Sequence, residues 1–527
     1  MSSTVTVNGN RIEWETIGQL LDERARNQTD QFAIEICGRK LSYGELVSLA
    51  DRVAANLYVM GVRKGDHVAS MLPNSLEQIL TWFGTVKIGA VWFPFNAGLL
   101  GDDLAYTLGD ATPKAFVVAS DFSSRLDAIK AELPSLRFAV GQAVAGYAAF
   151  DTLLKDAALP PAIDIQPSDP AVVVYTGGTT GLPKGVVLPH FAWIASTYRY
   201  RETYQIQPGD RHYSVLSLFH NGGLQLGVLG PIMCGIPTTI DAKFSVSNYW
   251  RRIRESGATV IDMIGTIMVL LAQAPEHPDE HNNNVRLCLA PILQLPEHIP
   301  PLFAERFKVG LINVYSLSEG GGTVIIHGPP NSSKPASNGN GCGWADMQIV
   351  DERDIPVGPN VVGQICLRPR VPHIFMSEYL NNPTKTIESF RNLWLHTGDL
   401  GYLDEDGDLY FTGRQVHWMR RRGENVSAYE IESVLRQYPG VSDIVSVGVL
   451  SEVGEEEIKA FIIPAEGTTL DPADISSWCR TRIAAFKVPR FIEFVKEFPR
   501  STTKLEIERH KLKALPNDRA WDATKSA

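Results

Sequence analysis

A run rich in glycine and threonine, between residues 175 and 185, has the residue types needed to bind phosphate. It reads YTGGTTGLPKG. Glycines allow backbone amides to approach phosphate oxygens closely, threonine hydroxyls add donors, and a lysine adds positive charge. The predicted phosphate ligands are Thr176, Gly177, Gly178, Thr179, Thr180, Gly181 and Lys184. The alternative interpretation is a glycine-rich turn with an incidental lysine.

This run is not a Walker P-loop, because Lys184 is flanked by Pro183 and Gly185. The Walker motif places Gly-Lys-Ser/Thr at the start of a helix. The preceding apolar segment 171–175, AVVVY, is typical of a buried strand. Since α/β sheets present ligands where their strands end, we expect the run to follow a strand of such a sheet.

Helical and strand-like patterns alternate through the first part of the chain. The segments 41–62 and 79–90 carry apolar residues at helical spacing, while 65–73 and 91–96 are typical of short buried strands. This alternation predicts parallel α/β layers. After about residue 330, a loop rich in Pro, Gly, Ser and Asn precedes shorter strand-like runs, which predict a small barrel or antiparallel sheet.

The chain of 527 residues is too long for one ordinary hydrophobic core, so we expect at least two domains. A natural break is the arginine-rich run 414–423, beyond which helix-like and strand-like segments predict a compact α+β tail. We therefore predict an N-terminal domain over residues 1–413 that binds ATP and the acyl group, and a mobile C-terminal lid over residues 414–527.

Composition argues against several classes of protein. The formal net charge is −10 and no basic run offsets it, so no nucleic acid partner is expected. The longest apolar stretch, residues 79–95, is interrupted by Lys87 and two glycines, which predicts a buried helix and strand rather than a membrane span. The N-terminus lacks the features of a secretory signal. The six cysteines form no CxxC pair, which favours reduced thiols and a cytoplasmic location.

Several motifs, in a fixed order, resemble those of a known superfamily. They are LSYGELVSLADRVAANL, KIGAVWFPFN, YTGGTTGLPKG, LSLFHNGG, YSLSE, HTGDLGYLDEDGDLYFTGR and RRRGENVSAYEIE. Over about residues 15–515 the chain resembles the adenylate-forming (ANL) superfamily, and it is most similar to the acyl-CoA synthetase branch that includes crotonobetaine/carnitine-CoA ligases. The resemblance implies an α/β fold: a large N-terminal domain of two α/β subdomains plus a small β-barrel-like subdomain, then a small mobile α+β C-terminal lid domain.

The resemblance also implies the reaction and its cofactors. Such a ligase uses ATP and Mg²⁺ to convert a small-molecule carboxylic acid to acyl-AMP with release of pyrophosphate, and then transfers the acyl group to CoA. The acceptor is CoA or, alternatively, a carrier-protein thiol, and the chain is expected to act as a monomer or homodimer without an integral membrane segment.

The resemblance assigns roles to individual residues where the motifs match. The implied nucleotide site comprises Glu319 for Mg²⁺, Ser318 for the α-phosphate, Tyr315, Ala290 and Pro291 for adenine, and Asp399 and Arg414 for the ribose. The expected acyl pocket comprises His220, which gates it, with Asn221, Gly222, Met263, Gly265 and Gly321. Gly423 and Glu424 are expected at the CoA tunnel. Because these pocket residues are apolar, small or neutral, we expect a largely apolar acyl group, and the glycines would leave room for a bulky one.

Two positions depart from the superfamily pattern. The lid normally carries a catalytic lysine in a Pro-x-Thr-x-x-Gly-Lys sequence, but Leu505 or Glu506 falls at that position here. We assign the role to the neighbouring Lys504, so the expected catalytic residues are Lys504, Glu319, His220 and Lys184. At the hinge, His417 replaces the usual Asp or Lys. Two alternatives therefore remain open: an enzyme of a single half-reaction, and a non-catalytic protein that binds nucleotide or acyl ligand.

Overall fold

A computed structural model of the chain describes most of its length. The described residues are 6–99, 101–129, 138–142, 146–178, 181–292, 295, 298–330, 332–340, 343–414, 418–421, 424–450, 456–483, 487–500 and 507–525. Five residues of the predicted site, Thr179, Thr180, His417, Gly423 and Lys504, lie outside them. The chain forms two compact units. The first comprises residues 1–348, 366–397 and 407–409, and the second comprises 349–365, 398–406 and 410–527.

The α-helices within the described residues follow the chain in this order. They are α1 (Ile17–Asn27), α2 (Tyr43–Val59), α3 (Leu76–Lys87), α4 (Gly101–Ala111), α5 (Ser123–Ile129), α6 (His190–Tyr204), α7 (Gly230–Cys234), α8 (Tyr249–Ser256), α9 (Gly265–Gln273), α10 (Ile299–Phe307), α11 (Pro383–Ser389), α12 (Ala428–Leu435), α13 (Pro472–Arg480) and α14 (Arg509–Lys513). A π-helix, Gly223–Leu229, precedes α7.

The strands are named in the same way. They are β1 (Thr6–Val7), β2 (Asn10–Arg11), β3 (Phe32–Ile36), β4 (Arg39–Ser42), β5 (His67–Met71), β6 (Val91–Pro94), β7 (Ala115–Ala119), β8 (Phe138–Gln142), β9 (Ala148–Ala149), β10 (Pro170–Gly178), β11 (Gly181–Pro189), β12 (His212–Ser214), β13 (Thr238–Ile240), β14 (Val260–Asp262), β15 (Leu287–Ala290), β16 (Gly310–Leu317), β17 (Gly322–His327), β18 (Ala345–Val350), β19 (Gly363–Pro369), β20 (Glu378–Tyr379), β21 (Leu395–Leu403), β22 (Leu409–Arg414), β23 (Trp418–Arg421), β24 (Glu424–Ser427), β25 (Val441–Leu450), β26 (Glu456–Pro464), β27 (Phe491–Phe494) and β28 (Trp521–Asp522).

Two eight-stranded, mostly parallel sheets form the first unit. One has the order β20-β11-β10-β6-β5-β7-β8-β9, and the other has the order β17-β16-β15-β14-β12-β13-β3-β4. In each sheet the central strands run parallel and antiparallel pairs lie at an edge. Strands β6 and β7 are buried along their whole length, as expected for parallel strands covered on both faces. These sheets are the two predicted α/β subdomains.

Smaller sheets follow along the chain. Strands β18-β19-β21-β22 form a four-stranded sheet, which corresponds to the predicted barrel-like subdomain. In the second unit, β25-β26-β27-β28 form a mixed sheet whose buried residues pack with α12 and α13 around Ile431, Ile458 and Ile475. The predicted fold class is therefore confirmed, whereas the domain boundary between residues 413 and 414 stays a prediction.

Local sequence signals explain where elements begin. Helix α2 starts with a capping box, because Ser42 Oγ accepts a hydrogen bond from the Glu45 amide and the Glu45 carboxylate accepts one from the Ser42 amide. Its apolar stripe, which includes Leu46, Ala50 and Leu57, is buried. The apolar stretch 79–95 forms most of α3 and then β6, as predicted. Among the described residues, no helix has the length and apolar character needed to cross a membrane.

Candidate active site

The described residues of the glycine-rich run lie in two paired strands near one edge of the first sheet. Strands β10 and β11 pair antiparallel, with Thr176 opposite Lys184 and Gly178 opposite Gly181, while β10 also pairs in parallel with β6. The Thr176 hydroxyl donates to the Lys184 carbonyl oxygen over 3.5 Å. The predicted phosphate-binding backbone is therefore carried by a strand of a mostly parallel sheet.

One tyrosine side chain contacts both Lys184 and Glu319. The hydroxyl of Tyr379 donates to Glu319 Oε1 over 2.7 Å. The Nζ of Lys184 lies 4.7 Å from the centre of the Tyr379 ring, within the range of a cation–π interaction. Burial, and then the Glu319 charge, raise the pKa of the Tyr379 phenol, so that it stays a neutral donor at physiological pH. Tyr379 lies outside the sequence motifs, so its role could not be predicted from them.

The hydroxyl of Ser318 is oriented by an asparagine of the LSLFHNGG motif. Asn221 Nδ2 donates to Ser318 Oγ over 3.0 Å, so the hydroxyl hydrogen is left to point elsewhere. Asn221 is buried, and its Oδ1 has no hydrogen-bond partner among the described residues. Buried polar atoms are normally paired, so an orphaned acceptor at this place fits a ligand that brings a donor.

Two side chains hold the turn that follows Glu319. Arg199, buried on α6, donates to the carbonyl oxygens of Gly320 at 3.4 Å and Gly321 at 3.0 Å. Gln225, on the π-helix, also donates to Gly321 O, over 3.2 Å. Neither residue was predictable from the sequence, because a buried arginine or glutamine in a helix carries no local sign of what it contacts.

The predicted adenine residues lie at the carboxyl ends of adjacent parallel strands. Ala290 ends β15 and is paired with Asn313 of β16, two residues before Tyr315. The amide of Asn313 links the strands further, because its Oδ1 accepts from the Ile292 amide. Ala290 and Tyr315 are buried and Pro291 is exposed. This is the sheet edge at which α/β proteins bind ligands.

The structure explains most of the glycines in the predicted acyl pocket by packing. A Cβ on Gly265 would lie 2.6 Å from Leu295 Cδ2, and one on Gly321 would lie 1.8 Å from the Ile374 carbonyl oxygen. A Cβ on Gly222 would lie 3.3 Å from Leu216 Cδ1. Protein atoms therefore fill the space beside these glycines, which gives no support for a bulky acyl group. Met263 is buried, and His220 is half-buried against the Phe219 ring at 4.5 Å.

The second unit contains the remaining predicted residues that the structure describes. Asp399 lies in β21 and is buried. Arg414 ends β22, and Glu424 begins β24, where it pairs with Arg421 in a short hairpin. The expected roles of His417, Gly423 and Lys504 fall outside the described residues.

The donor set fits Mg²⁺ held together with nucleotide phosphates. Glu319 is half-buried, has one carboxylate oxygen bonded by Tyr379, and makes no ion pair among the described residues. The same part of the chain holds no cluster of three or more His, Cys, Asp or Glu side chains suited to a metal. Mg²⁺ in phosphoryl-transfer sites is typically held by one or two carboxylates plus substrate phosphates and water. A half-buried carboxylate near the predicted phosphate-binding strands meets that requirement.

Comparison with known families agrees with this site. The family model of the AMP-binding enzyme matches residues 21–380, and that of the AMP-binding enzyme C-terminal domain matches residues 430–504. The crotonobetaine/carnitine–CoA ligase of Salmonella typhi is 31% identical over 510 residues, which cover 94% of this chain and 98% of that protein. The enzyme of the same name from Escherichia coli O157:H7 is 31% identical over 471 residues, covering 88% and 91%.

Solved structures with the same fold contain the expected ligands. ATP-bound MatB from Rhodopseudomonas palustris superposes with a TM-score of 0.85 at 25% identity, covering 94% of this chain and 98% of that one. The o-succinylbenzoate CoA synthetase of Bacillus subtilis, in complex with its acyl-adenylate intermediate, gives a TM-score of 0.81 at 25% identity, with the same coverage. The latter synthetase has also been solved with ATP and a magnesium ion.

The chain therefore belongs to the AMP-binding enzyme family. It is an AMP-forming acid–thiol ligase, which uses ATP and Mg²⁺ to activate a carboxylic acid and CoA to accept the acyl group. The family, reaction class and cofactors predicted from the sequence are confirmed, while the roles of individual residues stay predictions.

Proposed function

We propose that this chain carries out both half-reactions on a largely apolar carboxylic acid, with Lys184 and Glu319 at the phosphates. One observation carries the proposal: these two residues, from separate motifs, contact the same Tyr379 side chain. A cation and a carboxylate that contact one side chain suit a phosphate chain that is bound together with a divalent metal. The cation would meet phosphate oxygens and the carboxylate would meet the metal.

In the first half-reaction, a carboxylate oxygen of the acid attacks the α-phosphorus of ATP while the bond from that phosphorus to the bridging oxygen breaks. Pyrophosphate leaves with the electron pair. Glu319 would hold Mg²⁺, which neutralises phosphate charge when bound. Lys184 and the amides of the hairpin would bind phosphate oxygens, and Ser318 would donate its hydroxyl hydrogen to the α-phosphate. The bond from Asn221 supports this last role, because it occupies the Ser318 oxygen as an acceptor.

The predicted nucleoside residues form two sets, one for adenine and one for the ribose. Tyr315, Ala290 and Pro291 would contact adenine, supported by their place at the carboxyl ends of β15 and β16. Asp399 would accept hydrogen bonds from the ribose hydroxyls, and Arg414 would donate to them. A carboxylate suits two adjacent hydroxyl donors, since it offers acceptor sites on both oxygens.

The acyl group would lie near His220, Asn221 and Met263. Met263 is buried directly after β14, and its side chain is apolar and adaptable. His220 is half-buried, which suits a side chain that opens and closes the carboxylate end of the pocket. The filled space beside Gly265 and Gly321 favours an acyl group of modest size.

In the second half-reaction, the CoA thiolate attacks the acyl-AMP carbonyl carbon and AMP leaves. Gly423 and Glu424 would border the path of the CoA arm, and His417 would be the hinge about which the lid turns. Lys504 would serve the first half-reaction by donating to the carboxylate and the α-phosphate. We further propose a cytoplasmic monomer or homodimer. The five described cysteines are all free thiols, which suits a reducing compartment.

The decisive experiment measures the two half-reactions separately. ATP–pyrophosphate exchange over a panel of apolar acids reports adenylation, and thioester formation from supplied acyl-AMP reports the transfer to CoA. The parent chain should perform both. Glu319→Gln should lose Mg²⁺-dependent exchange by at least about 100-fold while its unfolding is unchanged. A parent that performs only one reaction would establish the single-half-reaction alternative, and ATP binding without either reaction would establish a non-catalytic protein.

A further inference from the structure

A short segment of the first unit connects the two phosphate-site motifs through its backbone. We call residues 374–380 the strap. The Met376 amide donates to Glu319 O over 2.9 Å, and the Leu380 amide donates to Gly185 O over 2.8 Å. Between them, β20 pairs with β11, where Tyr379 stands opposite Val186. The strap is therefore fixed to the turn that carries Glu319 at one end and to the strand that carries Lys184 at the other.

Tyr379 is the strap residue that points into this site. Its side chain is 5% exposed, and its hydroxyl and ring make separate contacts with Glu319 and Lys184. The Tyr379 amide donates to the Thr386 hydroxyl over 2.9 Å, which fixes the backbone from the opposite side. The side chain is thus held in one position before any ligand enters.

We propose that Tyr379 is the positioning residue of the metal site: its hydroxyl fixes the Glu319 carboxylate so that the second oxygen faces Mg²⁺, and its ring holds the Lys184 ammonium beside it. The proposal rests on the proposed function, in which Glu319 binds the metal. A hydrogen bond to one carboxylate oxygen removes the rotational freedom that metal binding would otherwise have to restrict. The ring likewise restricts the motion of the flexible Lys184 side chain.

The two contacts have different expected effects. Hydrogen bonds to metal ligands from outside the coordination sphere typically change metal affinity by 10- to 100-fold. Because Mg²⁺ is also held by phosphates and water, we expect the lower end, about 10-fold, on losing the hydroxyl. A partly exposed cation–π contact corresponds to about a 2- to 5-fold change in affinity. Loss of the ring should therefore weaken ATP binding by about that factor even without Mg²⁺.

The test measures ligand binding by calorimetry without the acid substrate, so that no turnover occurs. In Tyr379→Phe, the Mg²⁺ concentration that gives half of the maximal gain in ATP affinity should rise about 10-fold, while AMP binding without Mg²⁺ stays at the parent value. Tyr379→Leu should show the same Mg²⁺ effect and, in addition, 2- to 5-fold weaker ATP binding without Mg²⁺. Tyr213→Phe is the matched control, because the Tyr213 hydroxyl donates to the Asp241 carboxylate over 2.9 Å elsewhere in the unit.

Glu319→Gln separates failure of this inference from failure of the proposed function. If Glu319→Gln leaves the Mg²⁺ dependence unchanged, Glu319 is not the metal ligand and the proposed function is wrong at that residue. If Glu319→Gln shifts the Mg²⁺ dependence of ATP binding and Tyr379→Phe does not, the positioning role of Tyr379 is refuted. In the Glu319→Gln background, Tyr379→Phe should change the Mg²⁺ dependence by less than a further 2-fold, because both substitutions remove the same hydrogen-bonded interaction. If the effects of the two substitutions add fully, Tyr379 acts through the general stability of the fold. The same conclusion would follow if Tyr379→Phe weakened AMP binding by the same factor as the Mg²⁺ effect.

Discussion

Gly321 distinguishes two explanations of why glycines surround the proposed acyl pocket. If Gly321 faces open pocket space, Gly321→Ala should narrow the pocket and change only the choice of acid. The structure predicts a different result. Gly321 has a φ of +80°, and an added Cβ would lie 1.8 Å from the Ile374 carbonyl oxygen at the start of the strap. The substitution should therefore destabilise the fold and disturb the phosphate site.

The magnitude follows from two costs. A left-handed conformation costs alanine about 1–2 kcal/mol. Relieving the overlap requires a shift of more than 1 Å in backbone, and overpacking of this kind costs about 1–3 kcal/mol. The free energy of unfolding should fall by about 2–5 kcal/mol. Because the displaced strap carries Tyr379, adenylation should also fall, by up to about 100-fold for a misplacement of 1 Å.

Urea unfolding and ATP–pyrophosphate exchange with several acids test both effects. Gly109→Ala is the control, because Gly109 lies in α4 with no heavy atom within 4 Å of an added Cβ. That substitution should stabilise the chain by about 0.5–1 kcal/mol through helix propensity. The reasoning would be refuted if Gly321→Ala unfolds within about 0.5 kcal/mol of the parent and merely prefers smaller acids.

Three further predictions concern groups around the same chemistry. Arg199→Met should lower adenylation by about 10-fold, because the turn after Glu319 loses two donated hydrogen bonds, whereas Arg201→Met, on the same helix, should leave it at the parent rate. Burial lowers the pKa of His190 to about 4. The free energy of unfolding should therefore fall by about 3 kcal/mol as the pH drops from 6.5 to 4, because the unfolded chain binds the proton more readily. In urea titrations, His190→Gln should lose this pH dependence. Lys504→Ala should lower ATP–pyrophosphate exchange by about 10²–10³-fold and spare thioester formation from supplied acyl-AMP, while Glu506→Ala should affect exchange far less; equal exchange in Lys504→Ala and the parent would remove Lys504 from the mechanism.

The fold was predictable from the sequence where local pattern and burial agree. The helical spacing of apolar residues in 41–62 predicted α2, and the apolar run 91–96 predicted β6; both elements are present in the structure. The buried strand that leads into the glycine-rich run was predictable for the same reason, whereas the roles of the residues in that run stay predictions. Both kinds of signal are contained in a short stretch of chain.

The contacts that orient these residues were not predictable, because they depend on tertiary approach. Arg199 lies in a helix that is buried on nearly every side, where charge alone gives no indication of a partner. Gly265 illustrates the opposite case: small side chains suggested open space, but the nearby Leu295 occupies it. A sequence states the size of a residue, whereas the space around that residue is a property of the packed chain.

The strap connects the two halves of the proposed phosphate site. Lys184 and Glu319 belong to different motifs, and the backbone amides of Met376 and Leu380 tie their two segments together. Backbone amides are supplied by every residue type except proline, so such a connection leaves almost no sign in the sequence. What it does require is room for close approach at Gly321 and one side chain, Tyr379, that reaches both charges. The geometry of the chemistry-bearing motifs is therefore set by a segment whose own sequence shows only a tyrosine and a strand of two residues.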